Sequence, residues 1–467
     1  MKNATLAQKW DLPFWRSALA LAIPIAFQNL LTSSATLIDT AMVVGLGNAA
    51  TSAMGVATRF SFLLNVTCFG FASGCAALLS QFFGARDRDN TRRTLGMALL
   101  LSLSFGLIYA AALLLFPAQL VGLFNNDPLI LPLAVSYLRI FALGVPFVVF
   151  AQIMCFSLRA VECVKLPLLS AAVAVAVNTF LNYCLIFGQF GLPRMELRGA
   201  ALASVIGCAV QAAVIFVGVL LTKNPFRGSL TGLFRFDRPF ARKYWRISAP
   251  ALFNEVMWAV GTNVYVMVFA RQGIENHSGY TLYENVQQLF FVFFVGICGA
   301  CSVMVGTRIG RTDREGGYLA ARRFAIMTPI VGLVLGGILI LIRHPLLSLF
   351  PVETQGAYDV AAACLLFYGC WLAIRMIPYT LICGIFRAGG DTRIGCVYEM
   401  IGLYLCGIPL VLFVGLVWQP AEFVFLVIAM FLGEDVCKGI LCVRHFRSRR
   451  WIHCLTEVQT DAPPANS

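Results

Sequence analysis

The stretch "SATLIDTAMVVGLG", Ser34 to Gly47, places one carboxylate, Asp39, in a run otherwise suited to hydrocarbon. An Asp at the centre of a membrane helix costs roughly 2.5–3.5 kcal/mol on insertion scales, so it needs either a position near the interface or a task. The task open to a lone deep carboxylate is to bind and release a proton or a small cation. Gln28, Thr32, Thr36 and Asp39 fall on one polar stripe at about 100° per residue, and a stripe of that kind must face protein or water. Pro24, near the start of the same run, removes a backbone hydrogen bond and supplies a place to kink. Asn178 and Asn182 stand one turn apart on one face of a later apolar run. Glu255 follows Pro250 by five residues, and Arg375 lies deep in "FYGCWLAIRMIPYT". Tyr265, Trp258, Phe290 and Phe294 could line an aromatic site for planar cations, because ring faces attract positive charge.

Each of these residues has a plainer alternative. Asp39 could pair with Arg59 or with a neighbouring hydroxyl. Glu255 could form an internal pair with Arg375, satisfying both charges with no role in binding. It could equally attract a cationic substrate. The aromatic residues could simply pack or face lipid in a chain with 38 Phe. Arg59, Arg139, Glu284 and Glu399 lie near the ends of apolar runs, where snorkelling accounts for them. Glu434 and Lys438, spaced i, i+4, read as an ion pair that Asp435 could join.

The elements that must position these groups are membrane helices. Of the 467 residues 59% are hydrophobic and 12% charged, and the mean hydropathy is +0.81, outside the range of soluble domains. A bilayer core of about 30 Å needs about 20 apolar helical residues per crossing. Twelve runs qualify: 17–46, 51–83, 94–116, 130–158, 166–188, 199–221, 247–270, 279–307, 324–342, 359–386, 394–415 and 419–443. The opening "MKNATLAQKWDLPFW" is polar and leads into a long helix without the pattern of a removable signal peptide. The 16 Cys are scattered singly in apolar runs, so they read as small packing residues.

The net charge of +13 reflects topology rather than a nucleic-acid footprint. With the N-terminus inside, 28 of the 35 Lys and Arg fall in cytoplasmic segments and helix ends, and only Arg194, Arg198, Arg271 and Arg343 fall outside. The positive-inside rule therefore predicts both termini in the cytoplasm.

The chain repeats itself. A shift of 226 residues aligns Pro24 with Pro250, Phe27 with Phe253, Gly47 with Gly273, Gly70 with Gly296 and "GARDR" at Gly84 with "GRTDR" at Gly310. At a shift of 228, "SLRAVECVK" meets "IFRAGGDTR", pairing Arg159 with Arg387. Six spans per copy is an even number, so the halves relate by an axis along the membrane normal. The expected fold is an all-α integral membrane protein with twelve transmembrane helices in two six-helix lobes. The predicted domains are an N-terminal lobe over 1–221, a basic cytoplasmic linker over 222–246 lying on anionic lipid heads, a C-terminal lobe over 247–443 and a cytoplasmic tail over 444–467. Two lobes facing a cleft can rock to give alternating access. The short connections at Gly45 to Ala50 and near Gly273 predict tight outer ends that seal in an inward-facing state.

The run "LALAIPIAFQNLLTSSATLIDTAMVVGLG" resembles the first helix of the multidrug and toxic compound extrusion family. "GARDRDNTRRT", "VNTFLNYCLIFG", "GIFRAGGDTR" and "FRSRRW" extend the resemblance, in order, over nearly the whole chain. The resemblance implies a V-shaped pair of lobes that exports organic, often cationic, compounds in exchange for protons or sodium. It maps Asp39, Asn178 and Asn182 onto the family's polar cluster in the N-terminal lobe, where ion or proton binding accompanies bending of the first helix. Some relatives carry an Asp where this chain has Asn182. Glu255 resembles the acid of the sodium-coupled branch, but the Asp which that branch has in its tenth span is absent here, and Arg375 is the charged residue of the comparable stretch.

The expected partners are a small organic substrate and the bilayer, with no nucleic acid, no cofactor, no metal beyond Na+, and a monomeric chain in the cell membrane. No P-loop, H-E-x-x-H, G-x-S-x-G or Asp-rich motif points to an enzyme. Two alternatives stay open: a flippase for lipid-linked or polysaccharide precursors, and a non-transporting membrane receptor or scaffold.

Overall fold

The computed structural model describes residues 12–124, 126–228, 230–348 and 354–456. The remaining stretches assigned above to the N-terminus and the cytoplasmic tail lie outside the described residues. Eleven helices are long and apolar enough to cross a membrane. They are α1 (Leu12–Val44), α2 (Asn48–Gly84), α3 (Arg88–Leu115), α4 (Ile130–Ala160), α5 (Lys165–Phe187), α6 (Leu197–Leu221), α7 (Arg238–Ala270), α8 (Ile274–Gly310), α9 (Arg314–Leu347), α10 (Gln355–Phe386) and α11 (Thr392–Trp418). The twelfth, α12 over 424–448, is helical throughout but carries Glu434, Asp435 and Lys438. Even the 23 residues of α5 reach about 35 Å at 1.5 Å per residue, enough to span.

Several helices outrun their apolar cores. α9 starts ten residues before the apolar run at 324, and α7 takes in the last nine residues of the segment read as linker. Hydropathy marks only the lipid-embedded part, whereas the helices continue to polar caps. At one end of the bundle, the Asp87, Asp237, Asp313 and Asp391 side chains accept hydrogen bonds from the backbone N–H groups of Asn90, Phe240, Gly316 and Ile394. This is also the end that carries the basic turns.

Two hydrophobic cores divide the bundle, but the division is not made by chain order alone. Phe14, Ala18, Leu21 and Ile25 of α1 pack into the core of the C-terminal half. Phe240, Tyr244 and Ile247 of α7 pack into the core of the N-terminal half. The first helix of each lobe thus crosses to the other at its basic end. Burying those faces ties the lobes together there.

Glycines let the lobes approach closely along this seam. A Cβ on Gly84 would sit 2.1 Å from the Thr307 carbonyl oxygen, and one on Gly310 would sit 2.0 Å from that of Gln81. Gly74 meets the Ser248 Cα in the same way, and Gly296 meets the Ala22 carbonyl oxygen. The fully buried Gln81 amide crosses the seam, donating to the carbonyls of Ala388 (2.8 Å) and His453 (3.1 Å) and accepting from the Leu455 N–H (2.7 Å). The chain after α12 lies along the same seam, anchored by the fully buried Trp451 and by a hydrogen bond from Lys243 to the Leu455 carbonyl. At the opposite end, the turns at Gly47 and Gly273 have φ of 103° and 102°, and a Cβ on either would meet nothing within 4 Å. Neither turn makes the close backbone approach that Gly84 and Gly310 make at the basic end. The lobes close on each other at the basic end and diverge toward the other.

Candidate functional site

Asp39 is the one carboxylate in the interior of the N-terminal lobe among the described residues. It lies on α1 in the diverging half of the molecule and accepts a hydrogen bond from the Asn182 Nδ2 of α5. The same Nδ2 reaches Asn178 Oδ1 at 3.4 Å, and Asn178 Nδ2 reaches Ser204 Oγ of α6 at 3.4 Å. The expected pairing of these three residues is therefore made in space. The i, i+4 spacing of the two Asn puts both on the face of α5 turned toward α1. No Lys, Arg or His forms an ion pair with Asp39 among the described residues, so the alternative pair with Arg59 is not formed. The carbonyl oxygen of the fully buried Asn182 side chain has no hydrogen-bond partner, nor does the neighbouring Thr179 hydroxyl. A carboxylate beside unpartnered amide and hydroxyl oxygens is the ligand chemistry of a hard cation, and the lone carboxylate also suits a proton.

The rest of the α1 stripe is divided. Thr32 and Thr36 donate to the carbonyls one turn back, at Gln28 (3.0 Å) and Thr32 (3.3 Å), and both are exposed along the diverging face. Gln28 is buried and points the other way. Its Nε2 lies 3.4 Å from Cys155 Sγ, and its Oε1 accepts from Arg159 Nε at 3.1 Å. Pro24 sits inside α1, at the end of the segment that crosses to the other lobe.

Glu255 and Arg375 do not pair, so that alternative is not realised. Arg387 Nη2 binds Glu255 Oε1 at 2.5 Å, and its Nη1 donates to Ser73 Oγ of α2. The Arg387 site therefore joins α7 and α10 of one lobe to α2 of the other. It answers the Arg159–Gln28 contact in the first half, as the aligned arginines of the repeat imply. Arg159 is 7% exposed and pairs with no carboxylate among the described residues, its guanidinium lying 5.0 Å from the Phe156 ring centroid.

Arg375 instead binds Asp435 of α12 at 3.3 Å, and the Trp371 indole N–H donates to the same carboxylate at 3.1 Å. The pair of Glu434 with Lys438 forms as expected at 2.5 Å, and Asp435 joins it at 3.7 Å. Glu399 does not snorkel. It is buried and accepts from Lys438 at 3.0 Å. The chain makes a wide π-type turn over Leu432–Val436, and both consecutive acids, Glu434 and Asp435, are buried there. Three carboxylates and two cations are thus linked in one buried network within α10, α11 and α12. Breaking such a network strands a buried charge and costs about 3–5 kcal/mol. Asp435→Asn is expected to lower the thermal midpoint of the detergent-solubilised protein sharply. Arg375→Met combined with Asp435→Leu should recover most of the loss.

The aromatic set does not converge on a cavity. Tyr265, Phe290 and Phe294 are buried in the core of the C-terminal lobe, with Trp258 packed against that core. They act as packing residues. Sequence reasoning passed over Gln81, Ser73 and Ser204. The available signals were the aligned glycine turns beside Gln81 and the aligned arginines 159 and 387.

Twelve helices in two similar lobes, with one interior carboxylate in the first lobe among the described residues, define a multi-span membrane transporter rather than an enzyme. The MatE family model matches residues 24–184 and 250–413, two segments that begin at Pro24 and Pro250, the positions aligned by the internal repeat. The chain belongs to the MatE family of multidrug and toxic compound extrusion transporters. It is 24% identical over 399 residues to a probable multidrug resistance protein, YoeA of Bacillus subtilis, covering 85% of this chain and 86% of that one. It is 23% identical over 437 residues to the probable multidrug resistance protein NorM of Thermotoga maritima, covering 93% of each. Its fold matches a solved structure described as the outward-facing conformation of a multidrug resistance MATE family transporter, with a TM-score of 0.83, 16% identity and coverage of 93% and 96% of the two chains.

Proposed function

We propose that this protein is a secondary active antiporter of the cell membrane that exports organic cations in exchange for H+ or Na+ by alternating access. The observation that carries the reading is the Asp39–Asn182–Asn178 unit, an interior carboxylate held by amides and free of any basic partner among the described residues. A gradient can drive transport only through a group that binds its ion differently in the two conformations. Asp39 serves as that group, with Asn178 and Asn182 orienting it. Gln28 is held by Arg159 within the N-terminal lobe, and Pro24, Thr32 and Thr36 let α1 bend between its crossed-over and diverging parts. Glu255 is held by Arg387, and Arg375 and Tyr265 by packing and ion pairing, so these three serve the lobe's architecture. No cofactor is required.

The lobes are taken as 1–221 and 247–443, with 222–246 as linker and 444–467 as tail, both termini in the cytoplasm and the chain acting as a monomer. In that orientation the basic end is cytoplasmic, and the conformation is outward-facing. The multidrug-resistance names of the relatives support a drug-type substrate class. Expression in a pump-deficient bacterium is expected to lower accumulation of planar cationic dyes. Unchanged accumulation across a broad panel would contradict this substrate class.

The orientation has its own test. Single cysteines at Asn48, Asn126, Asn276 and Gln419, on a cysteine-free background, are expected to react with a membrane-impermeant maleimide from outside. Those at Asn90 and Ser448, and one at Ser229 outside the described residues, are expected to stay protected. The reverse pattern would invert the topology.

A further inference from the structure

A cavity of about 1300 Å³ lies away from Asp39. It opens at the basic end, where the ends of α2 and α3, the α4–α5 turn and the start of the linker meet, and Arg311 at the end of α8 closes it from the other lobe. Six bases line it, among them Arg86, Arg88, Lys223, Arg227 and Arg311, against the three acids Asp87, Asp89 and Glu162. Asp87 is already engaged, capping α3 through the Asn90 N–H and side-chain amide. A second cavity of about 630 Å³ shares Glu162, Cys163 and Arg311 with the first and adds Lys165 and Arg308 to its walls. A third, of about 500 Å³, runs between Arg86 and Arg311 over Gly84 and Gly310.

We propose that this basin binds a phosphate-bearing anion, whether a phospholipid headgroup or a soluble phosphate. Guanidinium groups present paired N–H donors that match phosphate oxygens, and an excess of positive charge in a concave site concentrates anions. Arg86 sits at a positive φ of 60°, in the turn after α2, and Arg311 follows Gly310 in the turn that answers it in the repeat. The two turns touch because Gly84 and Gly310 let α2 and α8 meet. Closing the seam therefore brings like charges from the two lobes together, and an anion between them offsets the repulsion. The site is complete only in the closed-seam conformation, so its ligand favours that conformation over the one in which the turns separate.

The test uses the full chain in nanodiscs and makes no use of transport. Inorganic pyrophosphate is titrated calorimetrically into protein in phosphatidylcholine alone. In a second arm without pyrophosphate, thermal stability is compared between phosphatidylcholine and a mixture of phosphatidylglycerol with phosphatidylcholine. The basin variant replaces Arg86, Arg88, Arg227 and Arg311 by Gln. A control variant removes the same charge elsewhere on this end, at Arg235, Arg238, Arg444 and Arg447.

Pyrophosphate binding at least about tenfold weaker in the basin variant than in the control supports a site open to soluble phosphates. Stabilisation by phosphatidylglycerol that the basin variant alone loses, with no pyrophosphate binding, supports the lipid headgroup. Equal losses in both variants, or no response of the wild type in either arm, would overturn the proposal. Lys in place of Gln at the four positions is expected to recover most of the binding, which separates loss of charge from misfolding.

Discussion

Asp39→Asn is expected to reduce ion-driven export to the level of empty membranes while the protein still folds, reaches the membrane and binds substrate. Asn keeps the size of the side chain and can still hydrogen-bond to Asn182, so the contact between α1 and α5 survives. What is removed is the capacity to exist in two charge states. An ion moves a conformational equilibrium only through its different affinities for the two states, and a side chain fixed at zero charge has none to offer. Equilibrium dye binding should stay near wild type, and concentrative flux should vanish. If both persisted, Asp39 would be a tolerated polar residue, and Glu255 the next acid to examine.

The second large effect concerns the seam. Ala at both Gly84 and Gly310 would place each new Cβ about 2 Å from a backbone carbonyl of the other lobe, well inside contact distance. Neither carbonyl belongs to a flexible side chain, so α2 and α8 must separate. Overpacking of this kind costs about 1–3 kcal/mol per site. The strain falls only on the closed-seam conformation, so each substitution shifts the balance by about 5- to 150-fold away from it. Spin labels at Asp89 and Leu319, exposed on opposite lobes, are expected to show a longer and broader distance in the double variant, with export lost and thermal stability little changed. An unaltered distance would mean that the lobes do not part at this seam.

Much of the architecture was open to reading because membrane helices declare themselves through hydropathy, and because a duplicated chain repeats its turn residues. Pro24 with Pro250 and Gly84 with Gly310 marked the halves. The Asn178, Asn182 and Asp39 cluster was also within reach, since helical spacing put the two Asn on one face and the family resemblance supplied the partner helix. The charge partners of the C-terminal lobe were not. Glu255 and Arg387 lie 132 positions apart, and linear depth made Arg375 look the nearer partner. Glu434 and Asp435 are both buried in the wide turn over Leu432–Val436, which hydrophobic periodicity does not announce. Glu399 looked superficial by its distance from the helix end, yet the packing of α11 against α12 buries it beside Lys438. The place of closure was likewise invisible. The repeat aligned two glycine turns, and only the crossing of α1 and α7 between the lobes shows that these turns meet.

The central claim is that Asp39 couples movement of an ion to movement of a cationic substrate in opposite directions. Coupling of this kind is reciprocal. In proteoliposomes containing the purified chain, an imposed gradient of cationic dye alone is expected to drive H+ or Na+ the other way, reported by a pH-sensitive or sodium-sensitive probe, and Asp39→Asn is expected to abolish that ion flux. Dye movement by the wild type with no counter-flux of either ion, or counter-flux undiminished in Asp39→Asn, would contradict the account.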